Sequence, residues 1–321
     1  MAEEIDIANC APVTGRATPQ YDQKSIERTA KALKVFSEIN ISYAPQDAIA
    51  GRIDVLRLRC LGKRGEPLPG LRLSQVSQAG KTKTFQQYRE KLLAQSAATT
   101  GTPNPWQVLY LGLEVRVTVK MMCQQLLRLL GDPYADRGNT DEVKLRVQEF
   151  MAEKGVELLI IDEVQHLVRD SQDKIDVTDE LKRFLDMGIV PVVLAGNEDS
   201  KRFFERNPQL ASRLGTPLKL DPVDPTKPAE LRAFAEFCHE MDGQLVANGI
   251  FQNPSCLGAE DPVDALIKAA GGHVGRVCRL IEAALEHAVS REAEFIELFD
   301  ISHAIEHFAI PQRYIKVNPL S

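Results

Sequence analysis

A parallel α/β sheet carrying a phosphate-binding loop, followed by a smaller all-helical domain, is the fold class this sequence predicts. Three observations lead to it. Apolar runs without alternation, LLII at 158–161 and VPVVLA at 190–195, mark strands buried on both faces of a sheet. These runs alternate with helical segments, the order in which crossover helices cover a parallel sheet. After TPLKLDPVDPTKP the text turns entirely helical, so a second domain begins near residue 222.

The elements follow in order. The first twenty or so residues are polar, hold Pro12 and Pro19, show no apolar period and read as a flexible or partner-dependent arm. In SIERTAKALKVFSEIN the residues Ile26, Ala30, Leu33 and Phe36 recur at helical spacing, with Ser25 as N-cap. The stretch VLRLRCLGKRGEPLPGLRLSQV contains two short alternating runs separated by Gly and Pro, a hairpin-like excursion leading into a strand. Next come helix FQQYREKLLAQSA, strand WQVLYLGLEV, helices VKMMCQQLLRLL and DEVKLRVQEFMAEKG, strand VELLIIDEV, helix VTDELKRFLDMG and strand IVPVVLAGN. The helical part comprises AELRAFAEFCHEM, DPVDALIKAAGG, VGRVCRLIEAALEHAVSREA and DISHAIEHFAI. This divides the chain into an arm (1–24), a nucleotide-binding α/β domain (25–221), a helical lid (222–310) and a tail (311–321).

Composition narrows the function classes. The 321 residues are 44% hydrophobic, enough for a substantial core. No run of about 18 apolar residues is present to span a bilayer and the N-terminus has no signal character, so a cytoplasmic protein without a membrane partner is expected. Six scattered cysteines without a C-x-x-C pair argue for buried free thiols over a disulfide frame or a zinc knuckle. The net charge of −6 hides a contrast: residues 51–93 carry +7 and the rest −13, which points to a polyanion near the basic segment or to a solvated basic face.

The chemistry gathers around 71-LRLSQVSQAGKTKTF-85, which ends in Gly80-Lys81-Thr82. In a phosphate-binding loop the backbone N–H groups curl around phosphates, the lysine reaches the β and γ phosphates and the hydroxyl holds Mg²⁺. The loop residues Ser77, Gln78, Ala79, Gly80, Lys81, Thr82 and Lys83 are its candidates. The full pattern asks for glycine at position 75, where this chain has Gln75, so ATP binding is expected and rapid turnover is not. About eighty residues on, 157-ELLIIDEVQHL-167 ends a buried strand in adjacent carboxylates. Asp162 at the strand's carboxyl end can hold the metal and Glu163 can deprotonate the attacking water. The strand IVPVVLAGN stops at Asn197, whose amide can fix that water. Arg213 in ERNPQLASRLG and Arg276 in GGHVGRVCRLI are candidates for contacting the nucleotide, Arg213 from a neighbouring subunit. His166, His303 and His307 lack a third ligand with useful spacing and read as packing or surface residues.

Order, spacing and context resemble an AAA+ ATPase, with Walker A at Gly80, Lys81 and Thr82, Walker B at Asp162 and Glu163, sensor 1 at Asn197, the arginine finger at Arg213 and, more loosely, sensor 2 at Arg276. The phrases LLRLLGDPYADRGN, VELLIIDEVQHLV and NPQLASRL resemble the TniB-type transposition regulators, relatives of TnsC and MuB, over roughly residues 25–310. The resemblance implies an ATP- and Mg²⁺-dependent protein that assembles on double-stranded target DNA as a ring or helical filament and recruits or activates a DDE-type transposase, with a target-selection recruiter as a further partner. It implies DNA contacts to the phosphate backbone with little sequence preference. Here the residues for that role are Thr118, Lys120 and Arg116 in EVRVTVKMM, with the basic set at Arg57 to Arg64 behind them. Two other readings stay open: an AAA+ ATPase of another process, such as a secretion-associated motor or clamp-loader-like remodeller, and a nucleotide-gated interaction module with little hydrolysis.

Overall fold

A computed structural model describes residues 22–167 and 177–321; the expected N-terminal arm lies, up to residue 21, outside them. The chain forms two compact units, one of residues 45–77 and 81–220, the other containing residues 22–44, 78–80 and 221–321. Helix α1 (Gln23–Glu38) belongs to the second, helical unit, whereas α2 (Ala44–Cys60) opens the α/β unit.

The α/β unit continues with β1 (Gly70–Ser74), α3 (Lys81–Thr100), β2 (Val108–Gly112), α4 (Val119–Leu130), α5 (Thr140–Glu153), β3 (Leu158–Asp162), α6 (Val177–Asp186), β4 (Val192–Gly196), α7 (Asp199–Glu205) and α8 (Pro208–Arg213). The strands pair in parallel in the order β1-β4-β3-β2. All five residues of β3 and of β4 are buried, as their unbroken apolar text requires of central strands. Local signals set the helix ends. Asn139 and Glu142 form a capping box that starts α5, and Gly131, at φ +85°, closes α4 in the left-handed region where a Cβ is disfavoured. One core runs from Leu109 on β2 to Leu214 beyond α8.

The segment VLRLRC departs from expectation: it ends α2 and is not part of a hairpin. Its alternation misleads because the apolar residues Val55 and Leu58 are 63% and 51% exposed while Arg57 is buried. The Arg57 guanidinium pairs with Asp54 at 2.8 Å and with Glu157. What the core reads is the helical series Ile49, Ile53, Leu56 and Cys60, all buried.

The helical unit holds α1, α9 (Pro228–Ala247), α10 (Glu260–Ala270), α11 (Val274–Ser290), α12 (Leu298–Ala304) and a π-helical turn (Ile305–Ala309). Helix α1 packs on α11 here: Ala32 and Phe36 join the helical core, Ser25 Oγ donates to the Ser290 carbonyl and Arg28 to that of Val289. The sequence reading groups α1 with the sheet, since an apolar stripe does not say which core it faces. Asp22, not Ser25, caps α1, accepting from the Ser25 N–H at 2.7 Å. The C-terminal residues are packed: Asn318 donates to Ser302 and Glu306, and Tyr314, Ile315 and Leu320 lie against the core. Cys60, Cys123 and Cys238 are buried and Cys278 half-buried, none of these four in a disulfide, whereas Cys256, against the expectation, is disulfide-bonded. Among the described residues no helix is long and apolar enough to cross a membrane.

His303 is half-buried and packs against other rings, whereas His307 is exposed, as expected. The His303 ring stacks on that of His287 at 3.8 Å and meets His307 at 4.2 Å. Burial first, then the neighbouring imidazoles, push its pKa below the ordinary 6.5, outweighing Asp300 and Glu306. The unfolded chain therefore takes up this proton before the folded one does, and the helical unit loses stability as pH falls through and below about 6.5. A thermal midpoint that declines between about pH 7 and about pH 5, with a shallower decline in His303→Gln, is the expected result.

Candidate functional site

The carboxyl end of the sheet gathers the charged groups. Beyond β1 the chain continues in register for one residue, Gln75 N–H donating to the Gly196 carbonyl at 3.2 Å. Gln75 is not among the residues with left-handed φ; in this loop those are Gln78 (φ +62°) and Gly80 (φ +105°). The backbone conformation at 75 thus makes no demand for glycine. Helix α3 then starts at Lys81, with no acidic residue in its first turn, so the positive end of its dipole faces the loop.

Thr82 and Asp162, eighty residues apart, meet: Thr82 Oγ1 donates to Asp162 Oδ2 at 3.0 Å. Tyr110 on β2 donates to the same oxygen at 3.0 Å, and Glu163 N–H donates to Oδ1 at 2.9 Å, so a fully buried carboxylate is held at both oxygens. Burial, then the Asp162 charge, keeps the Tyr110 phenol protonated well above its usual range. Lys81 is buried and its ammonium donates to the carbonyls of Gln75 and Val76 at 3.1 and 3.2 Å. Desolvation lowers its pKa, with Asp162 and Glu163 pulling the other way. An exposed hydroxyl, a buried carboxylate and a buried ammonium at a helix N-terminus are the hard-oxygen and cationic groups that suit a magnesium-bound triphosphate.

Glu163 sits in the left-handed region (φ +61°) at the start of a 3₁₀ turn (Val164–His166) and is half-buried. Gln165, in that turn, donates from Nε2 to Glu163 Oε2, and its Oε1 accepts from Asn197 N–H at 3.2 Å. The Asn197 side chain itself accepts from Asp199 N–H at 2.9 Å, capping the turn into α7. The side chain that bonds Glu163 is thus that of Gln165, from the turn just after β3, and it is tied in turn to the Asn197 backbone at the end of β4. No sequence signal singles out Gln165 or Tyr110, because each bonds a residue brought to it by a neighbouring strand, Asn197 for Gln165 and Asp162 for Tyr110.

Residues Gln78, Ala79 and Gly80 pack within the helical unit. A Cβ on Gly275, in the first turn of α11, would lie 2.3 Å from the Gln78 carbonyl and 2.6 Å from Gly80 N, so only glycine fits against this stretch of loop. The Tyr314 hydroxyl donates to Gln78 Oε1, and the Arg276 guanidinium lies 4.6 Å over the Tyr314 ring.

The family model described as Bacterial TniB protein matches residues 34–222, more than half of the chain. The chain belongs to the TniB family. Among solved structures it is similar to the Aeropyrum pernix ORC1 protein in complex with DNA (19% identity, 85% of this chain and 68% of that one, TM-score 0.55). It is also similar to Cdc6p from Pyrobaculum aerophilum (14%, 84% and 69%, 0.58) and to Drosophila ORC bound to DNA (15%, 92% and 70%, 0.53). At these identities the likeness speaks to the fold alone, a parallel sheet with flanking helices followed by a helical part. A search of curated proteins gives no match.

Among the other candidate residues of this TniB-family chain, Arg213 and Thr118 bond to partners outside the Thr82–Asp162 junction. Arg213 ends α8 half-exposed, 3.0 Å from Asp186. Its helix is fixed by Asn207, which caps α8 and donates to Asp179 and Thr178 of α6. Ser77 is exposed and Lys83 half-buried. Thr118 caps α4, accepting from Met121 N–H at 3.2 Å, with Lys120 half-buried in the first turn and Arg116 exposed at φ +63° before it. Much of the +7 segment serves the fold. Arg57 is in its buried ion pairs, Arg64 donates to the Met151 and Val156 carbonyls, Arg89 to that of Val108 and Arg52 to those of Thr216 and Pro217. Within the set from Arg57 to Arg64, Arg57 is buried, while Arg59, Lys63 and Arg64 are exposed.

Proposed function

We propose that this TniB-family protein is an ATP-dependent, largely sequence-nonspecific DNA-binding regulator of transposition that self-associates on duplex DNA and recruits or activates a DDE-type transposase. The observation that carries the reading is the 3.0 Å hydrogen bond between Thr82 and Asp162, beside a buried Lys81, at the carboxyl end of a parallel sheet. Thr82 and Asp162 would hold Mg²⁺, which supplies charge neutralisation at the phosphates when bound. The backbone of 77–80, Lys81 and Lys83 would receive the triphosphate, and Glu163 would take the proton of the water that attacks the γ phosphate. Arg213 would act on a neighbour's nucleotide, releasing Asp186 to do so, and Arg276 on its own. Asn197, through its backbone N–H and Gln165, would steady the water-activating carboxylate.

Two of the fold relatives were solved with DNA, in keeping with a DNA partner. Thr118 and Lys120 at the α4 N-terminus, with Arg116 before them, are the proposed phosphate contacts. A nucleotide-gated module with little turnover is the second reading, favoured by the bonds that tie Lys81 to its own loop.

Co-sedimentation with long duplex DNA, with and without ATP or a non-hydrolysable analogue, tests the proposal. Nucleotide-dependent pelleting of the chain is expected, weakening steeply as salt rises because phosphate contacts release counterions. Lys120→Ala should reduce it and flatten the salt dependence; no pelleting with ATP at low salt removes the DNA reading.

A further inference from the structure

The Gln165 side chain occupies a slot that only a glycine leaves open. A Cβ on Gly196 would lie 2.3 Å from Gln165 Oε1, so the last residue of β4 is shaped around this amide. The amide's orientation is set from outside: Asn197 N–H points at one end, 3.2 Å away, and a backbone N–H can only donate, so that end is the oxygen. The other end is then the NH₂, and it donates to Glu163 Oε2. Gln165 thereby ties the flexible Glu163 side chain to the end of the neighbouring strand. Glu163 needs such a tether, since its backbone sits in a left-handed conformation and its own N–H is spent on Asp162.

We infer that Gln165 is the positioning residue for Glu163, holding the carboxylate so that its other oxygen faces the attacking water. This rests on the reading of the site as an ATPase. Loss of the tether leaves nucleotide contacts untouched, because Gln165 bonds to none of Lys81, Thr82 or Asp162 in the structure. It acts on the chemical step alone, where small misplacements of a base are costly.

The full chain is assayed for phosphate release over a range of Mg-ATP concentrations, and for binding of a fluorescent ATP analogue, as wild type, Gln165→Met, Gln165→Glu and Lys81→Ala. Gln165→Met, which keeps the length and removes the amide, is expected to lower kcat at least about tenfold with KM and analogue affinity within about twofold. Gln165→Glu sets two carboxylates side by side, so its kcat relative to wild type falls at neutral pH and recovers towards acid pH, where a shared proton restores the donor to Glu163. A residue that merely supported the fold would not produce that pH-dependent recovery. Wild-type kcat in Gln165→Met, a matching loss of analogue affinity, or a Gln165→Glu deficit that does not change with pH overturns the inference. Absence of Lys81-dependent phosphate release in the wild type overturns the ATPase reading itself, and the inference falls with it, an outcome the Lys81→Ala arm keeps distinct from the others.

Discussion

Glu163→Gln is expected to lower Mg-ATP-dependent phosphate release by about 10²–10⁴-fold, the range that a positioned general base contributes. Nucleotide binding and nucleotide-dependent sedimentation with DNA should persist or strengthen, because the substitution leaves Thr82, Asp162 and Lys81 in place. Glutamine keeps the shape and hydrogen-bonding length of the side chain but cannot accept the proton of the attacking water. Lys81→Ala should behave in the opposite way, removing nucleotide binding and assembly together, since it deletes the cation at the head of α3. Phosphate release in Glu163→Gln equal to that of the wild type would assign the base to another residue. Equal and negligible release in both proteins would favour the nucleotide-gated module.

Arg291→Met is expected to destabilise the helical unit by about 3–5 kcal/mol, the cost of breaking a buried ion cluster from one side. The Arg291 side chain is 2% exposed and donates to both oxygens of Asp300, from Nε at 2.8 Å and Nη2 at 2.7 Å, and to Glu297. Asp300, with no exposure at all, also bonds His287 at 2.6 Å and the Glu297 N–H at 2.8 Å. Hydrogen bonding to Asp300 first, against burial, raises the guanidinium pKa, so the arginine remains charged and its removal leaves two buried acids without their cation. Urea or thermal denaturation followed by circular dichroism measures the loss. Arg291→Lys, which keeps the charge without the two-pronged geometry, should fall between the two. A midpoint within error of the wild type would show that the cluster is not a stabilising element.

Much of the fold was legible because its signals are local. Four strands, the helices between them and the turn to an all-helical text can be read from periodicity, and in the structure they form the parallel sheet and the helical unit. The set of Lys81, Thr82, Asp162 and Glu163 was legible for a similar reason: each stands at a strand end or helix start that the pattern locates. The missing glycine at 75 leaves no strain in the backbone, and its effect on turnover is a matter for the phosphate-release assay. A motif records which residues are customary, while the φ values place the left-handed turns at Gln78 and Gly80. The alternation in VLRLRC misled because polarity stood in for exposure, and Arg57 is a buried cation.

By itself the sequence determined most of the order of strands and helices and where the Lys81, Thr82 and Asp162 positions fall on them, because helix and strand periods and short-range turn chemistry are written within a few residues of each other. Only the tertiary structure decided that α1 packs in the helical core, that Tyr110 and Thr82 share one oxygen of Asp162, and that Gln165 bridges Glu163 to Asn197. Those pairings join residues on different elements, and which side chains meet there depends on how strands are ordered and faces are packed, which no local pattern encodes.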